Sequence, residues 1–325
     1  MTHHHGDHET DLPTGIARVI RLDEGGGPDA EMRSPAGHTP VNWNHLYLPE
    51  GRKEWLLNHA VVSLLHRERL SPLRGAPHGM LLFVGPPGTG KSTAARGLAS
   101  AVAGELADHG GTTLVEVDPH ALPSDLLGQS QRNVVRLLAR ALPEVIAGSR
   151  FAVVVVDEVE SFATSRRAAS FDTNPADLHR ATDAVLSGLD QLARDHPHVL
   201  LVATTNFPEA VDAALLSRAD LVVPFDRPDG ELVVRIVRDS LEELTKLWPE
   251  LEEVAGTPGL AERLGGLFGG MDGRQIRKLT VTALSSRAEV ARDPAQLRVD
   301  DLLAAARSLV DAKIPAMEEI GGWSR

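Results

Sequence analysis

Residues 80–93 read MLLFVGPPGTGKST. Met80 to Val84 form an unbroken apolar run of strand length. The loop Gly85, Pro86, Pro87, Gly88, Thr89, Gly90, Lys91, Ser92, Thr93 follows, and then Ala94, Ala95, Leu98, Ala99 and Val102 recur at helical spacing. Strand, glycine-rich loop and helix in that order turn G-x-x-x-x-G-K-[ST] from a pattern into a site. Glycines let backbone N–H groups turn inward around phosphate oxygens, and the start of the helix adds the positive end of its dipole. Lys91 is expected to reach the β- and γ-phosphates of ATP, and the Ser92 hydroxyl to ligate Mg²⁺. A glycine-rich turn that binds nothing would not require the whole arrangement.

Four more strand-sized apolar runs lie downstream: TLVEV at 113–117, AVVVV at 152–156, VLLVA at 199–203 and LVVPF at 221–225. Segments of helical composition, such as SQRNVVRLLARALPEVIA, separate the first four of the five runs. This alternation predicts an α/β fold, a five-stranded parallel sheet covered by helices on both faces. Upstream, Trp55, Leu56, Val62 and Leu65 recur at helical spacing until SPLRGAPHG breaks the pattern. After Phe225 the strand signal stops, and 229–312 read as helices punctuated by WPE, GTPG, GGMDG and RDP. The expected plan is a mobile arm at 1–40, an α/β domain at 41–227 and a small helical lid domain at 228–325. The arm is inferred from Gly, Pro, Asp, Glu and His without hydrophobic periodicity.

The composition agrees with a globular protein. The chain has 325 residues, 42% of them apolar and 24% charged, enough for about two domains with real cores. Its longest apolar runs, FAVVVV at 151–156 among them, are too short to span a bilayer. MTHHHGDHETD at the start has neither a basic n-region nor an apolar h-region, and the chain has no cysteine. A cytoplasmic location is therefore expected, without disulfides or thiolate metal sites. A net charge of -12 argues against broad nucleic-acid binding, although local basic pairs such as Arg166 and Arg167 remain. His3, His4, His5 and His8 can bind a metal in principle, but a short His-rich terminus is more often a disordered tail.

FAVVVVDEVES, 151–161, ends a buried strand in adjacent carboxylates. Two neighbours at a strand end can divide the work: Asp157 is expected to hold the hydration shell of Mg²⁺, and Glu158 to orient and deprotonate an attacking water. The loop alone indicates binding, and the added glutamate indicates hydrolysis. The alternative for Glu158 is a solvated strand-end carboxylate. The fourth strand runs into VATTNFPEAVDAALLSRAD, where Asn206 can share that water with Glu158 and report on the γ-phosphate. Asparagines at strand ends are commonly turn formers, so its assignment rests on its place in this series. Thr204 and Thr205 are read as structural.

GPPGTGKST, VVVVDEVES and VATTN with a helical domain behind them resemble the AAA+ ATPase family, which implies a P-loop NTPase fold with a C-terminal lid. By that resemblance Arg218, in SRAD, projects into the nucleotide site of the neighbouring subunit. An arginine given in trans stabilises charge on the transferring phosphoryl group. The alternative is an intramolecular ion pair, for instance to Asp220. The resemblance also makes Arg274, in MDGRQIRKL, a sensor of the γ-phosphate in its own subunit, with Arg277 and Lys278 facing solvent or an adjacent copy. It places Trp43, Leu46 and Tyr47 at the adenine pocket, where plain core packing is the alternative.

DEVESF, the stretch NPADLHRATDAVLSGLDQLARDHPHVLLVATTN, SRAD in place of the double-arginine RPGRFD, and DGRQIRKL resemble more closely the pachytene checkpoint ATPase family, from Val41 to Lys313. That resemblance implies a homohexameric ring that engages a flexible end of a HORMA-domain protein in its pore and partly unfolds it. It makes Leu126, Leu127 and Gly128, in SDLLGQS, the gripping loop. Apolar side chains hold an extended chain without reading its sequence, and glycine allows movement. Leucines at a helix edge can equally be core. The chain departs from eukaryotic relatives, which carry an aromatic residue in this loop and a folded N-terminal module where this chain has the polar stretch 1–40. Shorter bacterial relatives share this layout and act beside a HORMA protein and a cyclic-oligonucleotide synthase in anti-phage signalling. Disassembly of such a complex is the leading expectation. The alternatives are a remodeller or activase of another client, and a nucleotide-dependent scaffold or DNA-associated switch. The set Glu158, Asn206 and Arg218 weighs against a passive scaffold, and no H-E-x-x-H pattern suggests a fused zinc protease.

Overall fold

The computed structural model describes residues 12–13, 15–22, 43, 46–48, 51–71, 73, 76–118, 129–161 and 175–321. Contacts divide the chain into two compact units, one of residues up to Gly85 with Lys91–Pro224, the other of Pro86–Gly90 with Phe225 onward.

The first unit is built on one sheet. Its strands are β1 (Ile16–Arg21), β2 (Met80–Val84), β3 (Thr112–Val117), β4 (Phe151–Val156), β5 (Val199–Thr205) and β6 (Leu221–Pro224), in the order β1-β3-β4-β5-β2-β6. The five parallel strands expected from the apolar runs are all present. A sixth, β1, adds antiparallel to β3 from inside the stretch read as an arm. Its IARVIR is a weak signal because two arginines interrupt it, yet as an edge strand it needs only one partner.

Alternation along the strands serves both faces. Met80, Leu82, Val115, Val154, Val156 and Leu201 enter a core shared with α3 (Gln129–Arg136), α4 (Leu142–Ile146) and α5 (Pro175–Asp195). A π-helical turn, Leu137–Ala141, joins α3 to α4. Leu81, Phe83, Leu114, Val153, Val155 and Val202 are equally buried, on the side where α2 (Lys91–Glu105) contacts β3, β4 and β5, and α1 (Arg52–Leu70) contacts α2 and β5. Small residues, Ala94, Ala95, Gly97 and Ala99, let α2 lie close to the sheet. Each fully buried Leu, Val or Phe contributes about 1.5–3 kcal/mol.

In the second unit, helices alone follow β6: α7 (Gly230–Leu247), α8 (Glu252–Ala255), α9 (Leu260–Gly265), α10 (Gly273–Leu284), α11 (Ala288–Arg292) and α12 (Val299–Gly321). Asp229 caps α7, and Asp272 with Gln275 forms a reciprocal capping box on α10. Ile236, Val237, Leu264, Phe268, Ile276, Leu279 and Leu302 are buried. Arg287 grips Asp301 through Nε at 2.8 Å and Nη2 at 2.9 Å, tying the start of α11 to α12.

Candidate active site

The strand order β4-β5-β2 decides what meets at the C-terminal ends of the strands. From β2 the chain enters the loop after Val84, and from β4 it enters Asp157 and Glu158. β5 lies between them and is followed by Asn206. An asparagine in that position reaches both neighbours. Its Oδ1 accepts from Lys91 Nζ at 2.8 Å, and its Nδ2 donates to Glu158 Oε1 at 3.1 Å.

Gly88 and Gly90 adopt φ of 79° and 94°, a region that a side chain would resist. Thr89 Oγ1 donates to the Pro86 carbonyl at 2.9 Å and closes the turn. Lys91, the first residue of α2, is only 5% exposed, and its ammonium also donates to the Gly85 carbonyl at 2.7 Å. Ser92 is half-buried, and Pro87 and Thr93 are exposed. A buried ammonium at the start of a 15-residue helix, following a loop whose glycines free backbone N–H groups, is a donor set suited to a phosphate chain.

The acid pair is bracketed by a threonine. Thr204 Oγ1 donates to Asp157 Oδ1 at 3.0 Å and accepts from the Glu158 backbone N–H at 3.2 Å. Arg96, on α2, comes within 3.3 Å of Asp157 Oδ2 and donates through Nε to Glu116 Oε1 at 2.8 Å. Glu158 has φ of 53°, the one non-glycine among the described residues in the left-handed region. Such a backbone costs about 1–3 kcal/mol and is kept where the surroundings over-determine it. Glu160 Oε1 accepts from the Asn206 backbone N–H at 3.1 Å, completing the frame. The half-exposed carboxylates of Asp157 and Glu158, held by neutral donors and one arginine, can accept hydrated metal and water protons.

Arg96, Glu116 and Glu160 were missing from the sequence reading of this site, and Thr204, named there, was read as structural. Arg96 left a signal, a lone charge in the otherwise small and apolar AARGLASAVA. The bracketing role of Thr204 left none, because it comes from the strand beside it.

Arg218 stands at the opposite end of the sheet. It precedes β6, and Asp220 N–H donates to the Met80 carbonyl at 2.8 Å, at the N-terminal end of β2. The five residues of β2 separate that end from Gly85 by about 16 Å at strand rise. Asp220, the partner named in the alternative of an intramolecular ion pair for Arg218, is otherwise engaged: it accepts from the N–H groups of His78, Gly79 and Met80 at 2.7, 2.7 and 3.0 Å. Its carboxylate lies directly before three leading N–H groups that no strand partner takes. Burial pushes Asp220 up, but the His59 ring, with Nε2 4.0 Å from Oδ2, and these N–H groups outweigh it and leave the carboxyl below its ordinary value. Arg218 pairs instead with Asp190 on α5, through Nε to Oδ1 at 2.7 Å and Nη2 to Oδ2 at 2.8 Å. That bond holds the Asp190 carboxyl below its usual range and raises the arginine.

Residues 81–227 match the model of the ATPase family associated with various cellular activities (AAA). CD-NTase-associated protein 6 of Pseudomonas aeruginosa is 41% identical over 296 residues, which cover 91% of this chain and 92% of that protein. The chain belongs to the AAA ATPase family. It is a nucleotide-binding ATPase, and the resemblance drawn from its motifs is borne out. A pachytene checkpoint protein 2 homolog of Danio rerio is 32% identical over 206 residues, 63% of this chain and 48% of that one, so the match spans less than half of that relative. In fold the chain is similar to C. elegans PCH-2, with a TM-score of 0.66 and 21% identity over 84% of this chain and 72% of that one. It is also similar to a chain of the E. coli MS115-1 HORMA:CdnC:Trip13 complex, with a TM-score of 0.65 and 18% identity over 91% and 95%.

In this AAA ATPase, Arg274 is exposed in the first turn of α10, within the second unit. Arg277, also exposed, pairs with Glu243 at 3.2 Å. Trp43 is buried, and Leu46 and Tyr47 are half-buried. Leu126, Leu127 and Gly128 lie outside the described residues, as do Arg166, Arg167 and His3, His4, His5 and His8. Among the described residues, no helix is long and apolar enough to cross a membrane.

Proposed function

We infer that this ATPase works as a ring, homohexameric by its resemblance, whose subunits complete one another's sites. The observation that carries this is the placement of Arg218 at the far end of β2 from the phosphate loop of its own chain. An arginine there serves another subunit's nucleotide or none. On this reading Lys91 and the loop Gly85–Thr93 bind ATP, Glu158 takes a proton from water that Asn206 helps to orient, and Arg218 reaches the neighbour's γ-phosphate. Ser92 and Asp157 would hold Mg²⁺, which would neutralise phosphate charge. Arg274 would sense nucleotide within its own subunit, and Trp43 with Tyr47 would flank adenine.

The client is a HORMA-domain protein, partly unfolded so that its complex with a cyclic-oligonucleotide synthase comes apart and anti-phage signalling is restrained. Similarity to CD-NTase-associated protein 6 across nearly the whole chain supports this, as does the likeness to a HORMA:CdnC:Trip13 complex. Leu126, Leu127 and Gly128 would grip the client. The absence of cysteine suits work in the cytoplasm.

Turnover per subunit should rise with protein concentration and rise further with a HORMA-domain client. Mixing Arg218→Ala with Glu158→Gln subunits should restore part of the turnover that each lacks, because one supplies the base and the other the arginine. If no mixing ratio restores activity, the trans reading fails. Assembly-dependent turnover that ignores the HORMA protein would keep the motor and replace the client.

A further inference from the structure

Asp190 belongs to no nucleotide motif and lies on α5, a helix that carries none of the loop or acid residues. Both oxygens of its carboxylate are nonetheless spent on Arg218, one on Nε and one on Nη2. A third donor, Nη1, goes to the Ala214 carbonyl at 2.8 Å, on α6 (Ala213–Leu216). A guanidinium holds five N–H donors in one rigid plane. Three are taken, and two have no partner among the described residues. One anchor would leave the plane free to swing, whereas anchors on two helices set its direction. The ion pair is partly open to solvent, with side chains 25% and 31% exposed, and pairs of that kind add little to fold stability. What it supplies is side-chain order, which a charge acting across a gap needs before the reaction begins.

The support behind Asp190 is equally specific. Val185, Leu186 and Leu192 on the same helix are buried. A Cβ at Gly188 would come within 2.6 Å of Leu138 Cδ1, so α5 lies tightly against the π-helical turn two residues before Asp190. α6 is anchored in turn by Asp212, whose Oδ1 accepts from Ala214 N–H at 2.8 Å.

We propose that Asp190 is the positioning residue for Arg218: its carboxylate grips one edge of the guanidinium so that the remaining N–H donors are presented, already ordered, to the phosphate chain of the next subunit. The inference rests on the reading of Arg218 as a trans arginine. Asp190 touches no phosphate and acts only through its partner.

The test measures kcat and KM for ATP at a protein concentration where turnover per subunit has reached its plateau. Asp190→Asn should lower kcat about 10- to 100-fold with KM nearly unchanged, the scale of a misaimed group rather than a lost binding contact. Asp190→Glu, which keeps the charge at a shifted distance, should recover part of the loss. In an Arg218→Ala background Asp190→Asn should change kcat by less than about twofold, since residues acting as one unit do not add. An unchanged kcat in Asp190→Asn overturns the proposal. So does a raised kcat, which would mean that Asp190 sequesters the arginine, or an equal fall with and without Arg218, which would mean that Asp190 acts elsewhere. Should Asp190→Asn fail to fold, Asp190→Ser, which also removes the charge, carries the same kcat criterion: wild-type kcat overturns the proposal and a selective fall upholds it. Restored turnover in the mixed Arg218→Ala and Glu158→Gln subunits beside a silent Asp190 would sink this inference alone. No restoration would sink the trans reading beneath it.

Discussion

The two ends of the parallel sheet are built on opposite plans. At the C-terminal end, polar side chains hold one another: Lys91 to Asn206, Asn206 to Glu158, Thr204 to Asp157. Each bond there joins groups that can exchange partners. At the N-terminal end, apart from the pair of Arg218 with Asp190, charges are tied to backbone. Asp220 takes three N–H groups at the start of β2, and Arg67, 5% exposed, donates to the carbonyls of His78 and His196 at 2.8 Å each. Burial pushes the Arg67 guanidinium down to about 10, with Asp220 drawing it back. One end is made to rearrange and the other to stay still. A still end suits Arg218 on the reading that it serves a neighbouring subunit.

The sharpest way to break this contrast is to disarm each end separately. Lys91→Ala should abolish ATP binding in a calorimetric titration. Arg218→Ala should leave affinity within about threefold of wild type while turnover falls about 10³-fold. Equal loss of binding in both variants would erase the distinction between the ends. Stability should show the reverse bias. Arg67→Met removes the donor that ties the carbonyls of His78 and His196 together and should cost about 1–3 kcal/mol in denaturant unfolding, more than a change at the exposed Pro87.

The C-terminal end was largely legible in the sequence, because Gly85–Thr93 and Asp157 with Glu158 are local strings whose chemistry follows from adjacency. The N-terminal end was not. Arg218 finds Asp190 28 residues away and Arg67 finds His196 129 residues away, and no spacing rule connects them. The proximity of Arg218 to Asp220 in sequence suggested the wrong partner, because strand pairing turns Asp220 toward β2. β1 escaped notice for a related reason: an edge strand needs one apolar face, and Ile16 and Val19 provide it across a register shift between Ile16 and Arg18 that breaks the simple alternation. Thr204 illustrates the limit within the legible half, since only the order β4-β5 places it against the acids.

Two smaller tests sharpen the same comparison. Thr204→Val keeps the shape of β5 but removes the hydroxyl that brackets Asp157 and Glu158, and should lower kcat about 10-fold with little change in melting temperature. At the other end, burial holds His198 below its ordinary value, and the charges of His196, Arg67 and Arg150 act in the same direction. An unfolded histidine takes a proton near pH 6.5, whereas His198 in the fold does so only at lower pH. The unfolded chain therefore binds more protons in that window, and stability declines as pH falls through about 6.5. His198→Asn should flatten part of that decline in a melting series, by a fraction of a kcal/mol because the ring is half-exposed.

β2, which leads into the phosphate loop, is flanked by β5 and β6, the last two strands of the sheet to be synthesised. A growing chain therefore carries the whole glycine-rich loop, and then both acids, long before the strands that seat them have left the ribosome. Pairing over such separations is slow to form. Competence to bind nucleotide arrives late in the birth of the molecule, and a product cut short before Leu221 carries the motif without the affinity.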